Sequence, residues 1–209
     1  MEIAWLGHAS FKITADDILI YIDPFKLDAS KISHDKLADI VLCTHSHFDH
    51  FSLEDIKKIS KPQTIIVATK DCAGKVPNLK TISPGETLVF SKVKISAVHA
   101  YNKNKQYHPK INSWCGYVVE IDGKRIYHAG DTDAIPEMDG LKGVDVALLP
   151  VGGTYTMTAE EAAMAANRFK PKIAVPMHYG SIVGQKTDAE KFKQFFKGKT
   201  LFLDSSIVI

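Results

Sequence analysis

Three histidines and an aspartate fall within six residues, His45-Ser46-His47-Phe48-Asp49-His50, directly after the apolar run Asp39–Cys43. A short continuous apolar run bounded by polar residues reads as a strand buried on both faces. Four ligand-type side chains at the mouth of such a strand demand a fold that brings strand ends to a common edge. In an extended backbone, His45 and His47 point to the same side, so both imidazoles could converge on one ion. A bend toward a following helix would then turn Asp49 and His50 toward a second ion. Neutral imidazole with one carboxylate suits zinc and similar divalent transition ions.

Around this segment the chain reads as two halves of similar style. Ile3–Leu6, Phe11–Thr14 and Ile18–Ile22 have strand composition and hairpin spacing. A helix is expected from Ser52, where Ser52 and Asp55 form a capping-box-like pair ahead of Ile56 and Ile59. Thr64–Val67, Lys80–Ile82, Thr87–Phe90 and Val93–Val98 read as further strands. In the second half, Gly116–Ile121 and Arg125–His128 flank Asp122-Gly123, a strong hairpin signal. Val144–Leu149 and Ile173–Val175 read as buried strands. Thr158 and Glu161 cap one helix, and Thr187 with Glu190 caps another whose apolar side carries Phe192, Phe195 and Phe196. Leu201–Leu203 and Ile207–Ile209 are expected as closing strands. Two sheets with helices outside them bury such elements, and no linker or low-complexity tract interrupts the 209 residues, so one domain over 1–209 is expected.

Composition narrows the function. Net charge is only +2, which gives no electrostatic reason to bind nucleic acid or an anionic membrane. The three cysteines are odd in number and show no Cys-x-x-Cys spacing, so they read as small core residues. No apolar run approaches the length of a membrane span, and the N-terminus opens on a strand rather than a leader. A cytoplasmic protein acting on a small molecule is expected, with assembly as a homo-oligomer left open.

The pattern resembles the metallo-β-lactamase superfamily. His45-Ser46-His47-Phe48-Asp49-His50 matches its H-x-H-x-D-H signature. Gly7-His8-Ala9-Ser10, Ile22-Asp23-Pro24, Tyr127-His128-Ala129-Gly130-Asp131-Thr132 and Met177-His178-Tyr179-Gly180 follow in family order. The set is most similar to compact metal-dependent hydrolases related to ascorbate-phosphate lactonase and to phosphodiesterases that cleave N-acyl phosphatidylethanolamines. The resemblance implies an α+β fold, a four-layer αββα sandwich, holding two divalent metal ions. Zinc is favoured, with manganese, iron or nickel also open. His45 and His47 would bind the first ion with a third histidine; Asp49, His50 and His178 would bind the second; Asp131 would bridge them. The third histidine is either His99, the usual place in the wider superfamily, or His108, the place in the microbial subgroup and the favoured one.

His8, Asp23, His128 and Asn102 are candidates for contacts to ligands or substrate; Asp23 could hold a ligand imidazole through its other nitrogen. The expected reaction is hydrolysis of a lactone, ester or phosphodiester by a metal-bridging hydroxide, with Asp49 and Asp131 as the catalytic carboxylates. Two other readings stay open on the same residues: a single-iron sulfur dioxygenase, and a metal-binding protein without turnover. The segment Asn102-Lys103-Asn104-Lys105 with Lys110 could grip a phosphate or simply be a solvated basic loop.

Overall fold

The structure is a computed structural model and describes residues 1–28, 32, 37–202 and 206–209. The chain forms two compact units, Met1–Ile82 with the C-terminal strand, and Ser83–Phe202.

In the first unit the strands are β1 (Glu2–Gly7), β2 (Ser10–Ala15), β3 (Ile18–Ile22), β4 (Ala38–Leu42), β5 (Ser60–Ala68) and β6 (Leu79–Thr81), with α1 over Leu53–Ile59. They form one sheet in the order β14-β1-β2-β3-β4-β5-β6, where β14 is Ser206–Val208. Strands β14, β1, β2 and β3 pair antiparallel, whereas β3, β4, β5 and β6 pair parallel. Parallel pairing needs a crossover, and α1 supplies the one between β4 and β5. Its start is where the sequence puts it: the Ser52 hydroxyl accepts the Asp55 amide at 3.2 Å, a cap worth about 1 kcal/mol. Asp55 does more than donate to that cap. Its carboxylate also accepts the backbone amides of Lys26 at 2.8 Å and Leu27 at 3.1 Å, tying the segment after β3 to the helix. The helix buries Ile56 and Ile59 on Tyr21, Val41, Cys43 and Ile66.

The second unit contains β7 (Thr87–Phe90), β8 (Val93–His99), β9 (Cys115–Ile121), β10 (Lys124–His128), β11 (Val146–Pro150), β12 (Ile173–Met177) and β13 (Lys199–Thr200), with α2 (Ala159–Phe169) and α3 (Lys186–Phe195). Its order is β13-β12-β11-β10-β9-β8-β7, with β7 to β10 antiparallel and β10 to β13 parallel. The β9–β10 hairpin turns at Asp122 and Gly123, both left-handed at φ 51° and 67°, as a tight two-residue turn requires. Thr158 and Glu161 form the expected capping box on α2.

Three expectations are corrected. Helix α3 is capped two residues early, at Gln185, whose amide donates to the Asp188 carboxylate at 2.8 Å. Phe195 is 48 % exposed, because the helix turns only Phe192 inward and Phe196 follows it into the core. The strand expected at Leu201–Leu203 is instead Lys199–Thr200, pairing with Ile173 and Ala174, and Leu203 lies outside the described residues. Among the described residues no helix is long and apolar enough to cross a membrane.

All three cysteines are buried and reduced. Burial pushes the Cys72 thiol up to about 11, and the neighbouring Asp71 adds to the effect. A thiolate is the reactive form, so native protein at pH 8 should leave an aromatic disulfide reagent unreduced over minutes, while denatured protein reacts at three thiols. Rapid labelling of the native protein would contradict this burial.

Candidate metal centre

In the first unit the ligand-type residues sit where β4 ends. The Cys43 amide still donates to Val67 O at 2.8 Å, and then the chain bends. The amides of His50 and Phe51 both return to His47 O, at 3.0 and 2.8 Å, closing a tight turn. That turn folds the His50 ring back onto His45, with ring centroids 4.1 Å apart. His45 and His47 do meet, Nε2 to Nδ1 at 3.1 Å, but through this bend and not through strand alternation. The two rings consequently present different nitrogens.

Asp23, fully buried, sets the tautomers. Its Oδ1 accepts the Thr44 amide at 2.7 Å, and its Oδ2 accepts the Thr44 hydroxyl at 2.7 Å. The same Oδ2 lies 2.7 Å from His50 Nδ1, which therefore carries a proton and leaves Nε2 as the lone-pair nitrogen. The single Thr44 proton points to Asp23, so the Thr44 oxygen accepts from His45 Nδ1 at 3.0 Å. His45 thus also presents Nε2 as a lone pair. One carboxylate orients two imidazoles, directly and through a hydroxyl, which is the outer-shell device that metal-ligating histidines use. His8, in the β1–β2 turn at φ 52°, contacts Asp49 Oδ2 through Nε2 at 3.0 Å.

In the second unit, Asp131 follows β10 at the Gly130 turn. Its Oδ2 lies 3.0 Å from His178 Nε2 and 3.4 Å from His108 Nε2. His178 follows β12 in the left-handed region at φ 60°. Gly152 makes room for it: a Cβ there would stand 2.5 Å from His178 O and 3.5 Å from its Nδ1. His108 is buried with its ring against Trp114, whereas His99 is half-buried at the end of β8 with its ring beside Tyr101. The structure therefore brings His108 to Asp131 and leaves His99 apart from that pair. His128 is buried in β10, and its Nδ1 accepts the Gly130 amide at 3.1 Å, which holds the turn before Asp131. Asn102 accepts the His108 amide at 3.1 Å.

Thr44, Asp133 and Gly152 carry the local geometry without having been singled out in the sequence. Thr44 and Asp133 flank ligand-type residues directly, in Thr44-His45 and Asp131-Thr132-Asp133, and adjacency was the available signal. Gly152 had none, because its role depends on a strand far away in the chain.

The donor chemistry fits divalent transition ions. Ligands held about 2.0–2.1 Å from a tetrahedral ion stand about 3.3 Å from each other. The separations His45–His47 and His108–Asp131 match that spacing, and 3.4 Å is long for a hydrogen bond.

A family model for the β-lactamase superfamily domain matches residues 2–178. The chain belongs to the metallo-β-lactamase superfamily. It is 37 % identical to a UPF0173 metal-dependent hydrolase of Thermococcus onnurineus over 95 % of this chain and 93 % of that one. A solved protein of Parabacteroides distasonis, classed with the metal-dependent hydrolases, superposes with TM-score 0.87 at 37 % identity, covering 97 % of this chain and 92 % of the other. A metallo hydrolase of Ignicoccus hospitalis gives TM-score 0.77 at 25 % identity, covering 100 % and 98 %. The chain thus sits among the UPF0173 metal-dependent hydrolases of the superfamily, and the α+β fold expected from the sequence is the superfamily's.

Gly152→Ala should destabilise the protein by about 1–3 kcal/mol, the usual cost of overpacking, because backbone oxygen and not a flexible side chain meets the new methyl. Thermal unfolding measures it; an unchanged midpoint would mean that His178 does not pack so closely.

Proposed function

We propose that the chain is a hydrolase that uses two divalent transition-metal ions, with zinc the favoured ion, on a small-molecule lactone or ester. The observation that carries this reading is the tautomer arrangement: buried partners hold protons on the outer nitrogens of His45 and His50, so each offers a lone pair. The ligands we assign are His45, His47 and His108 for one ion, Asp49, His50 and His178 for the other, and Asp131 for both.

Bound there, the metal supplies Lewis acidity and a water ionised near neutral pH. The chain's own residues prepare for that. His8 contacts Asp49, which would orient a metal-bound water, and Asp23 fixes which nitrogen of two imidazoles faces outward. No flavin or serine nucleophile is called for.

Among the expected substrate classes, the basic loop favours a carbonyl over a phosphodiester. Lys105 is ion-paired with Asp133 at 2.5 Å, and Lys110 with Glu137 at 2.9 Å. Burial acts to raise the Glu137 carboxyl, but hydrogen bonds from Lys110 and Tyr101 outweigh it and hold the group below its ordinary value. Two of the loop's three lysines are matched by carboxylates from outside it, which leaves less charge to grip a phosphate or a nucleic acid.

Fully loaded protein should contain close to two metal equivalents by elemental analysis; a firm single equivalent under metal excess would undo the role given to Asp131. Chelation should abolish ester and lactone hydrolysis, and re-addition should restore it. The rate should rise with pH and level off near neutrality; a fall above pH 7 with metal retained would count against the ionised water. His108→Ala should empty one position, while His99→Ala should keep both ions and weaken them by no more than about 10–100-fold, as for an outer-shell change. The reverse pattern would reassign the third histidine.

A further inference from the structure

We propose that Asp133 is a positioning residue for His108: acting through Asn102, it decides which ring nitrogen of His108 carries the proton and which one faces Asp131. The part concerning metal affinity rests on the reading of His108 as a ligand, and the part concerning the tautomer does not.

Asn102 is the link. Which end of an amide is nitrogen must be inferred from its partners. One end of the Asn102 side chain lies 3.1 Å from Asp133 Oδ1 and 2.9 Å from Tyr155 O. Both of those atoms accept, so this end is the NH2. The other end meets the His108 backbone amide at 3.1 Å, which only donates, so it is the carbonyl. The same carbonyl oxygen lies 3.1 Å from His108 Nδ1. It has no proton to offer, so His108 Nδ1 must be the protonated nitrogen and Nε2 the lone pair. Nε2 is the atom turned toward Asp131 Oδ2.

Asp133 holds the NH2 end of the Asn102 side chain together with Tyr155 O. Its recorded partners are all donors: Asn102 Nδ2, the Lys103 amide at 2.9 Å and the Lys105 ammonium. Its own amide donates to Tyr101 O at 2.9 Å, which docks residue 133 on the start of the loop. The loop is closed on itself by the Asn102 amide donating to His108 O at 2.7 Å. Asp133, Asn102 and His108 are all buried, so water offers no alternative set of partners. Asparagine at 133 would have one oxygen where two edges need an acceptor. Satisfying Lys103 would then aim an NH2 at the Asn102 NH2, and turning Asn102 over would remove the acceptor from His108 Nδ1.

Long-range nitrogen–proton NMR of the histidine rings in chelated, full-length protein reads this directly, at a pH where the imidazoles are neutral. Wild type should show His108 with its proton on Nδ1. Asp133→Asn and Asn102→Leu should show a mixture containing the Nε2–H form. Lys105→Met, which disturbs the same loop but keeps both acceptor edges of Asp133, should retain the wild-type tautomer. In zinc titrations Asp133→Asn should weaken one of the two ions by about 10–100-fold, the scale typical of outer-shell changes, and leave the other unmoved. A wild-type His108 carrying its proton on Nε2 overturns the proposal, as does an Asp133→Asn variant with native tautomer and affinity. Should Asp133→Asn not fold, the wild-type and Asn102→Leu spectra decide. If wild type binds no metal, the proposed function fails while the tautomer result still tests this inference.

Discussion

The geometry of the first unit's histidine segment hangs on one buried carboxylate, Asp23, which accepts from one backbone amide and two side chains. A buried carboxylate without partners costs several kcal/mol, and this one is tolerable because each oxygen accepts from a well-placed donor. The consequence runs outward. The Thr44 amide is held against residue 23, so the chain leaves β4 in one direction. The Thr44 hydroxyl and Asp23 then fix the faces of His45 and His50. Removing the carboxylate would leave an unsatisfied amide, a freed hydroxyl and two imidazoles without a set tautomer, a loss larger than any one hydrogen bond.

The same device recurs with different residues. Asp55 holds the amides of Lys26 and Leu27 while its own amide donates to the Ser52 cap, and Asp133 holds the amide of Lys103 while bonding Asn102. Loops cannot satisfy their amides through a sheet ladder, and water is a mobile partner. A carboxylate anchored on a neighbouring element gives an irregular segment one conformation. The left-handed residues His8, Asp23 and His178 fit this picture, since each holds a conformation costly for a non-glycine residue that surrounding contacts must enforce.

Much of this was legible in the amino-acid sequence. The periodicity and caps located α1 and α2 because Ser52, Thr158 and Glu161 act within four residues of themselves. The Asp122-Gly123 turn was readable because few dipeptides fit two left-handed positions. The histidine segment was conspicuous because histidines rarely cluster without a reason. What stayed hidden depends on distant partners. That His47 turns Nδ1 toward His45 follows from a turn whose hydrogen bonds return to its own carbonyl. That Phe195 faces solvent follows from where α3 docks, not from its spacing to Phe192. Asp133 looked like one more polar residue beside Asp131 until the 102–108 loop was seen folded over it.

The topology explains why these residues collect where they do. In each sheet several of these residues leave from the carboxyl ends of strands that pair in parallel, whereas His8 and His108 follow the antiparallel strands β1 and β8. Asp23 follows β3 and Thr44 follows β4; Asp131 follows β10, Gly152 follows β11 and His178 follows β12. Parallel strands joined by crossovers all end on one edge, so the loops after them are neighbours although far apart in sequence. The ladder even continues by one bond past each strand pair: the Asp23 amide donates to Leu42 O, the Ala129 amide to Leu148 O and the Val151 amide to Met177 O. Each bond carries strand-like rigidity to the residue just before, or at, a functional position. An antiparallel sheet sends alternate strands to opposite edges and would scatter the same side chains. Each sheet is therefore antiparallel in one half and parallel in the other, and it is the parallel half that brings these loop residues to one edge.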